Sequence, residues 1–273
     1  MMDQYAVIGH PVAHSKSPWI HAKFAKNCDD AINYGLLECD PSAEAFSAAI
    51  REFIAAGANG ANVTMPFKEM AWELADHLTP RATLAGAVNT LTFTDDGLVL
   101  GDTTDGVGLV NDLTLHMEVA IDAKRILILG AGGAVKGVVQ PLLEKLPACV
   151  HIANRTVQRA TELVDVFSGF GKITASSYQD VSALEPFDVV INATPANFSG
   201  ELPPVTSAIF ADDSVAYDMS YAATPTLFEQ WCKDNGVNKV RNGLGMLVEQ
   251  AAESFFIWRG KRPETKTVLD ELR

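Results

Sequence analysis

The sequence predicts an α/β protein of two domains, the second built on a doubly wound parallel sheet. Three observations predict it. Short apolar runs alternate with helical patterns along the chain, as strands covered by helices require. The run Arg125–Leu129 (RILIL) is continuously apolar, the pattern of a strand buried on both faces, and it leads directly into a glycine-rich turn. The chain has 273 residues, which at roughly 150 per domain suggests two.

In the first half, Tyr5–Ile8 reads as a buried strand ending at Gly9. Pro18–Lys26 reads as a helix with Pro18 in its first turn, where a missing N–H costs nothing. Asn33–Glu38 is a strand, and Pro41–Ala55 a helix with Ala45, Ala48, Ala49 and Ile50 on one side and Gly57 closing it. Gly60–Val63 is a short strand running into Thr64-Met-Pro-Phe-Lys68. Val88–Phe93, the turn Asp96-Gly97 and Leu98–Leu100 form a hairpin signal. In the second half, the strand Arg125–Leu129 is followed by a helix, the strand Cys149–Ala153 and a helix from Thr156. Phe187–Asn192 and Ser214–Asp218 are further buried runs. A helix over Thr224–Asp234 opens with Thr-Pro, Gly236–Val240 is a last strand, and Gly245–Arg259 is a long amphipathic helix carrying Met246, Val248, Ala251, Ala252, Phe255 and Phe256. The first domain is expected over residues 1–104, with the C-terminal helices 245–273 returning to it, and the second over 105–244.

Composition narrows the function. Twenty-one Lys and Arg against 34 Asp and Glu give a net charge of −13, which argues against nucleic acid and anionic lipid as partners. No apolar run approaches the roughly 18 residues of a membrane span, and the acid at Asp3 interrupts any signal-like start, so a cytoplasmic protein is expected. Cys28, Cys39, Cys149 and Cys232 contain no C-x-x-C pair and read as reduced, packed thiols. The six histidines (His10, His14, His21, His77, His116, His151) show no ligand spacing, and no metal is expected.

Gly130-Ala131-Gly132-Gly133-Ala134 sits between a strand and a helix, the context that makes such a motif a dinucleotide signal and the second domain Rossmann-type. Gly130 makes the tight turn, Gly132 lets the main chain approach a pyrophosphate, and the helix N-terminus offers free N–H groups. The third fingerprint position is Val135, larger than the usual Gly or Ala, and is expected to push the helix slightly off the strand. The next strand ends in Asn154-Arg155-Thr156 with Arg159 one turn beyond. A carboxylate there would select NAD; two guanidiniums instead grip a 2′-phosphate, so the cofactor is inferred to be NADP(H).

Further polar clusters stand at strand ends: Gly9-His-Pro-Val-Ala-His-Ser15-Lys16-Ser17-Pro18, Asn62-Val-Thr64-Met-Pro-Phe-Lys68, Ala87-Val-Asn89-Thr90 and Gly101-Asp-Thr-Thr-Asp105-Gly106. Their hydroxyls, amide, lysine and aspartate suit a hydroxylated, carboxylated small molecule on which a proton is moved. Together with N-R-T, Y-D-M-S-Y and G-L-G-M-L-V-E-Q, these segments make the chain resemble the shikimate dehydrogenase family over nearly its whole length.

The resemblance implies reversible NADPH-dependent reduction of 3-dehydroshikimate to shikimate, in the route to aromatic amino acids. It implies that Ser15 and Ser17, helped by Tyr221, bind the substrate carboxylate, and that Thr64, Asn89 and Gln250 bind ring hydroxyls. Lys68 and Asp105 would contact the hydroxyl that becomes the carbonyl and form the catalytic pair. Gly130, Ala131, Gly132, Gly133, Ala134, Asn154, Arg155, Thr156 and Arg159 would hold NADP. Thr194, Met219 and Gly243 would border the adenosine and nicotinamide, and Met246 would lie near the reacting carbon. The chain departs from the family at Val135 and in Thr194-Pro195-Ala196-Asn197-Phe198, where small Ser and Gly residues usually follow N-A-T.

The favoured assignment makes Lys68 the acid in reduction and the base in oxidation, with Asp105 as its partner; the reverse assignment is the alternative. The nearest functional alternative is a quinate/shikimate dehydrogenase of broader substrate or cofactor use. An NADP-sensing regulator with a decayed site would lack Lys68 or Asp105, and both are present. A monomer or homodimer is expected. Replacing both guanidiniums (Arg155→Ala with Arg159→Ala) is expected to weaken NADP binding while leaving NAD nearly unchanged in calorimetric titrations; an unchanged NADP to NAD ratio would refute the 2′-phosphate assignment.

Overall fold

The computed structural model describes residues 2–273, the side chains of Asn197 and Phe198 excepted. The chain clusters into two units, one running up to Gly108 and including Val248–Arg273, the other Leu109–Leu247. No helix among the described residues is long and apolar enough to cross a membrane.

The first unit contains β1 (Asp3–Gly9), α1 (Ser17–Asn27), β2 (Ile32–Glu38), α2 (Ala43–Ala55), β3 (Ala58–Val63), α3 (Lys68–Leu74), β4 (His77–Leu78), α4 (Pro80–Ala85), β5 (Thr90–Phe93) and β6 (Val99–Asp102), and α5 (Asp105–Asn111) begins in it. Its sheet runs β2-β1-β3-β5-β6-β4, with β1 parallel to β2 and β3, and β5 antiparallel to β3 and β6. The β5–β6 hairpin closes through Asp96-Gly97, where Gly97 takes φ +86°. Ser42 caps α2 by accepting from the Ala45 N–H, so the helix starts two residues later than the sequence reading placed it. Its fully buried residues are Phe46 and Ile50; the three alanines of the expected face are only half-buried, because the bulky Phe46 reaches the core first. Phe46 stacks on Phe67 with centroids 5.0 Å apart.

The second unit contains β7 (Arg125–Leu129), α6 (Gly133–Leu143), β8 (Cys149–Ala153), α7 (Val157–Phe167), β9 (Ile173–Ser176), α8 (Tyr178–Val181), β10 (Phe187–Asn192), α9 (Ala196–Ser199), β11 (Phe210–Asp218), α10 (Leu227–Asp234) and β12 (Lys239–Asn242). From it α11 (Leu244–Arg259) leads back into the first unit, where α12 (Lys266–Leu272) ends the chain. The sheet order is β12-β11-β10-β7-β8-β9, all parallel. Counted from β7, this is the 3-2-1-4-5-6 order of a dinucleotide-binding fold, with its switch point between β7 and β10. Ile126, Leu127, Ile128 and Leu129 are all fully buried, as their apolar run requires.

The last strand lies at Lys239–Asn242, later than Gly236–Val240. The reason is a helix end: Gly236 takes φ +84° and the Val237 N–H returns to the Cys232 carbonyl, so these residues cap α10. The N-terminus of α10 also falls later, because Thr226 and Glu229 form a capping box. All four cysteines are free thiols.

His21 on α1 is fully buried, and its ring stacks on Tyr34 of β2 with centroids 4.1 Å apart. Burial lowers its pKa from 6.5 to about 3. The unfolded chain therefore takes up a proton below pH 6.5 that the folded chain refuses, and stability falls as pH drops from there towards 3. One such group contributes a slope of up to about 1.4 kcal/mol per pH unit. His21→Phe is expected to lose less stability than the parent between pH 7 and 4 in urea titrations; equal slopes would remove His21 from the pH dependence.

Candidate active site

In the first unit, Lys68 opens α3 and Asp105 opens α5. An acid at a helix start is favoured by the helix dipole, whereas a lysine is not, so Lys68 stands there without help from its own helix. Its ammonium finds Asp105 instead: Nζ lies 2.5 Å from Oδ2. The lysine side chain is 29% exposed and the aspartate 11%, so the pair is reached from solvent through the ammonium.

Asn89, 2% exposed, sits at the start of β5 and holds the other oxygen, its Nδ2 donating to Asp105 Oδ1 at 2.9 Å. The same nitrogen lies 2.9 Å from Thr104 Oγ1 and 3.2 Å from Gln250 Oε1. Its Oδ1 accepts from the Thr104 N–H and the Thr90 hydroxyl, both at 2.9 Å. The main chain is stitched at the same place, with the Val88 N–H donating to the Lys68 carbonyl and the Asn89 N–H to the Asp102 carbonyl. Asn89, Lys68, Asp105 and Gln250 therefore meet in one cluster.

The serine loop lies at the start of α1. Ser17 is buried, Ser15 is half-buried, and the Ser17 N–H donates to the Ser15 hydroxyl at 3.3 Å. Thr64 follows β3, its N–H bonded to the Ile8 carbonyl and its side chain half-buried. Three residues that sequence reasoning left unassigned extend this region. Asn62 donates to Ser254 Oγ at 2.9 Å and accepts from the Tyr34 hydroxyl at 2.7 Å. Asn62 belongs to the quoted Asn62-Val-Thr64 segment, and Ser254 stands one turn after Gln250, which were the available signals.

In the second unit, Gly130 ends β7 with φ +111°, a conformation that disfavours a side chain, and its N–H is held by the Ala153 carbonyl. Gly132 is the N-cap of α6 and makes no side-chain cap; a Cβ built on it meets nothing within 4 Å, leaving open backbone for a ligand to approach. Val135 is accommodated fully buried. Asn154 folds back on the Thr156 carbonyl (2.9 Å), and Arg155, Thr156 and Arg159 are exposed at the start of α7, with no carboxylate at the end of β8. Thr194 donates to Asn192 Oδ1 at 2.6 Å beyond β10, and Met219 is tied to the Asn192 carbonyl. Gly243 presses on this segment, since a Cβ there would lie 2.3 Å from the Met219 carbonyl oxygen. The Met246 N–H reaches the Tyr217 hydroxyl at 3.3 Å, and Tyr221 is exposed at 37%. The side chain of Phe198 lies outside the described residues. Open glycine backbone, a bare helix start and paired arginines fit a phosphorylated dinucleotide.

Comparisons with known proteins agree in sequence and in structure. Residues 7–91 match the shikimate dehydrogenase substrate binding domain, 113–199 the shikimate / quinate 5-dehydrogenase domain, and 243–273 the shikimate 5′-dehydrogenase C-terminal domain. The chain is 54% identical to the shikimate dehydrogenase (NADP(+)) of Chromohalobacter salexigens, covering 99% of this chain and 98% of that one. It is 52% identical to the same enzyme of Aeromonas hydrophila, covering 100% and 98%. Among solved structures, an Ael1 enzyme from Pseudomonas putida superposes with a TM-score of 0.93 at 39% identity, covering 99% and 98%. Shikimate 5-dehydrogenase from Thermus thermophilus, solved with NADP(H) and shikimate, gives 0.86 at 31% identity, covering 98% of each chain.

The close approach at Gly243 is testable. Gly243→Ala forces a methyl against a carbonyl that has no rotamer to escape into, and is expected to cost about 1–3 kcal/mol in urea unfolding followed by tryptophan fluorescence. Parental stability would show that the backbones have room to part.

Proposed function

The chain belongs to the shikimate dehydrogenase family, and on that premise we propose that it interconverts 3-dehydroshikimate and shikimate with Lys68 and Asp105 as its catalytic pair. It is an NADP-dependent oxidoreductase acting on a CH–OH group. The observation that carries the residue assignment is the cluster of Lys68, Asp105 and Asn89, with Lys68 Nζ 2.5 Å from Asp105 Oδ2.

NADPH, when bound, supplies the hydride. Negative charge then develops on the substrate oxygen, and an ammonium placed beside that oxygen both stabilises the charge and delivers the proton. Lys68 is the side chain that does this: it is the more exposed member of the pair, while Asp105 faces the protein and Asn89. In the oxidative direction the lysine takes the hydroxyl proton back. Asp105 aims the ammonium and accepts from the neighbouring ring hydroxyl. Ser15 and Ser17 receive the carboxylate, while Thr64, Asn89 and Gln250 receive the ring hydroxyls. In the second unit, Arg155 and Arg159 hold the 2′-phosphate, the amides at the start of α6 hold the pyrophosphate, and Thr194, Met219, Gly243 and Met246 border the rest of the cofactor.

The purified protein is expected to reduce NADP with shikimate, followed at the reduced-nicotinamide absorbance, with quinate and NAD as comparison arms. Lys68→Ala is expected to lower kcat by about 10²–10⁴-fold, the usual weight of a positioned acid–base group, with little change in the KM for shikimate. Retained kcat with a raised KM would make Lys68 a binding residue only.

A further inference from the structure

The segment that presents Asp105 is itself held, and what holds it comes from a helix that carries none of the site residues assigned above. Arg81, in the first turn of α4, grips Asp102 with a two-pronged contact: Nε to Oδ1 and Nη2 to Oδ2, each 2.7 Å. Asp102 Oδ1 also accepts from the Thr79 hydroxyl at 2.6 Å and the Thr103 N–H at 2.7 Å. The residue is 9% exposed, and this carboxylate is filled with protein donors. Its role is therefore inward.

Three connections run from the clamp to the cluster. The Asp102 carbonyl receives the Asn89 N–H at 3.1 Å. Two residues on, the Thr104 N–H donates to Asn89 Oδ1, and Asp105 follows. On its other side Arg81 reaches Glu253 Oε1 at 3.4 Å from Nη2, and Glu253 lies three residues beyond Gln250 on α11. Arg262 holds the second oxygen of Glu253. One guanidinium thus ties together the chain segments that deliver Asn89, Asp105 and Gln250.

We propose that Arg81 is a positioning residue of this enzyme, acting through Asp102 to set the Asp105–Asn89 geometry against Lys68. Planarity is what the task needs: a fork fixes the carboxylate plane in two directions, which a lysine point charge does not. A misplacement of about 1 Å at a reacting group is enough to cost on the order of 100-fold in rate. The inference rests on Lys68 and Asp105 being the catalytic pair, and the test separates the two.

Arg81→Ala, Arg81→Lys, Asp102→Ala, the Arg81→Ala/Asp102→Ala double variant and Lys68→Ala are compared in steady-state assays with shikimate and NADP. Circular dichroism reports folding. Both Arg81 variants are expected to fall about 10–100-fold in kcat, with Arg81→Lys the milder. The acid limb of their kcat/KM profile is expected to move, while the KM for NADP stays within about twofold because the proposed cofactor residues lie in the other unit. The double variant is expected to be no slower than Asp102→Ala. Arg81→Lys carries the test if the other variants fail to fold. Lys68→Ala inactive, with both Arg81 variants at parental kcat and pH profile, would overturn the proposal and leave the catalytic pair standing. Lys68→Ala with parental kcat would overturn both.

Discussion

A buried amide has to satisfy donors and acceptors on two sides at once, and the first unit is arranged around one such group. Asn89 cannot sit at the start of β5 unless Thr90 and the Thr104 N–H reach its oxygen while Asp105 and Thr104 receive its nitrogen. That requirement fixes the start of α5 against β5, and through Gln250 it fixes a turn of α11 as well. The Lys68–Asp105 pair, proposed as catalytic, stands at the edge of this arrangement. A single ion pair whose ammonium is open to solvent contributes little to stability on its own. Its value lies in direction, which the amide confers by occupying the oxygen that the lysine does not.

The second unit obeys a different constraint. A parallel sheet covered on both faces leaves backbone polar groups free at its chain reversals as well as its edges, and the switch point lies between β7 and β10. The positive φ of Gly130 and the tight abutment of Gly243 on Met219 are local features of those chain reversals. The groups proposed for the site differ in kind: those in the first unit are side-chain acids, bases and hydroxyls, those in the second mostly main-chain amides and two guanidiniums.

What the sequence disclosed tracks how local each determinant is. Arg125–Leu129, Cys149–Ala153 and Phe187–Asn192 coincide with β7, β8 and β10, because burial on both faces writes itself as a short run dominated by apolar residues. The hairpin at Asp96-Gly97 was equally plain, since turn chemistry is carried by adjacent residues. The short helices α3 and α4 were invisible, being six or seven residues long and so too brief for a periodic pattern. The burial of Phe46 was missed because alanine periodicity says nothing about which side chain is long enough to reach the core. Within the site, Lys68, Asp105 and Asn89 stood out only as members of motifs; their meeting depends on pairings 16 and 37 residues apart. The Arg81 contacts, spanning 21 and 172 residues, had no sequence signal at all.

The first unit is completed by the last stretch of the chain, and this has a consequence for the order of assembly during synthesis. Leu109–Leu247 is contiguous, so all of its sheet is available before the ribosome reaches α11. The earlier half must wait. Its Asn62 and Leu91 lack Ser254 and Trp258, and its Asp3 and Asp30 lack Arg259, until residues 254–259 emerge. During that interval the first unit's β-sheet has unfilled partners, the state in which nascent chains are most prone to associate wrongly. Segments made first are thus finished last, and the later-made unit is the one able to fold while translation continues.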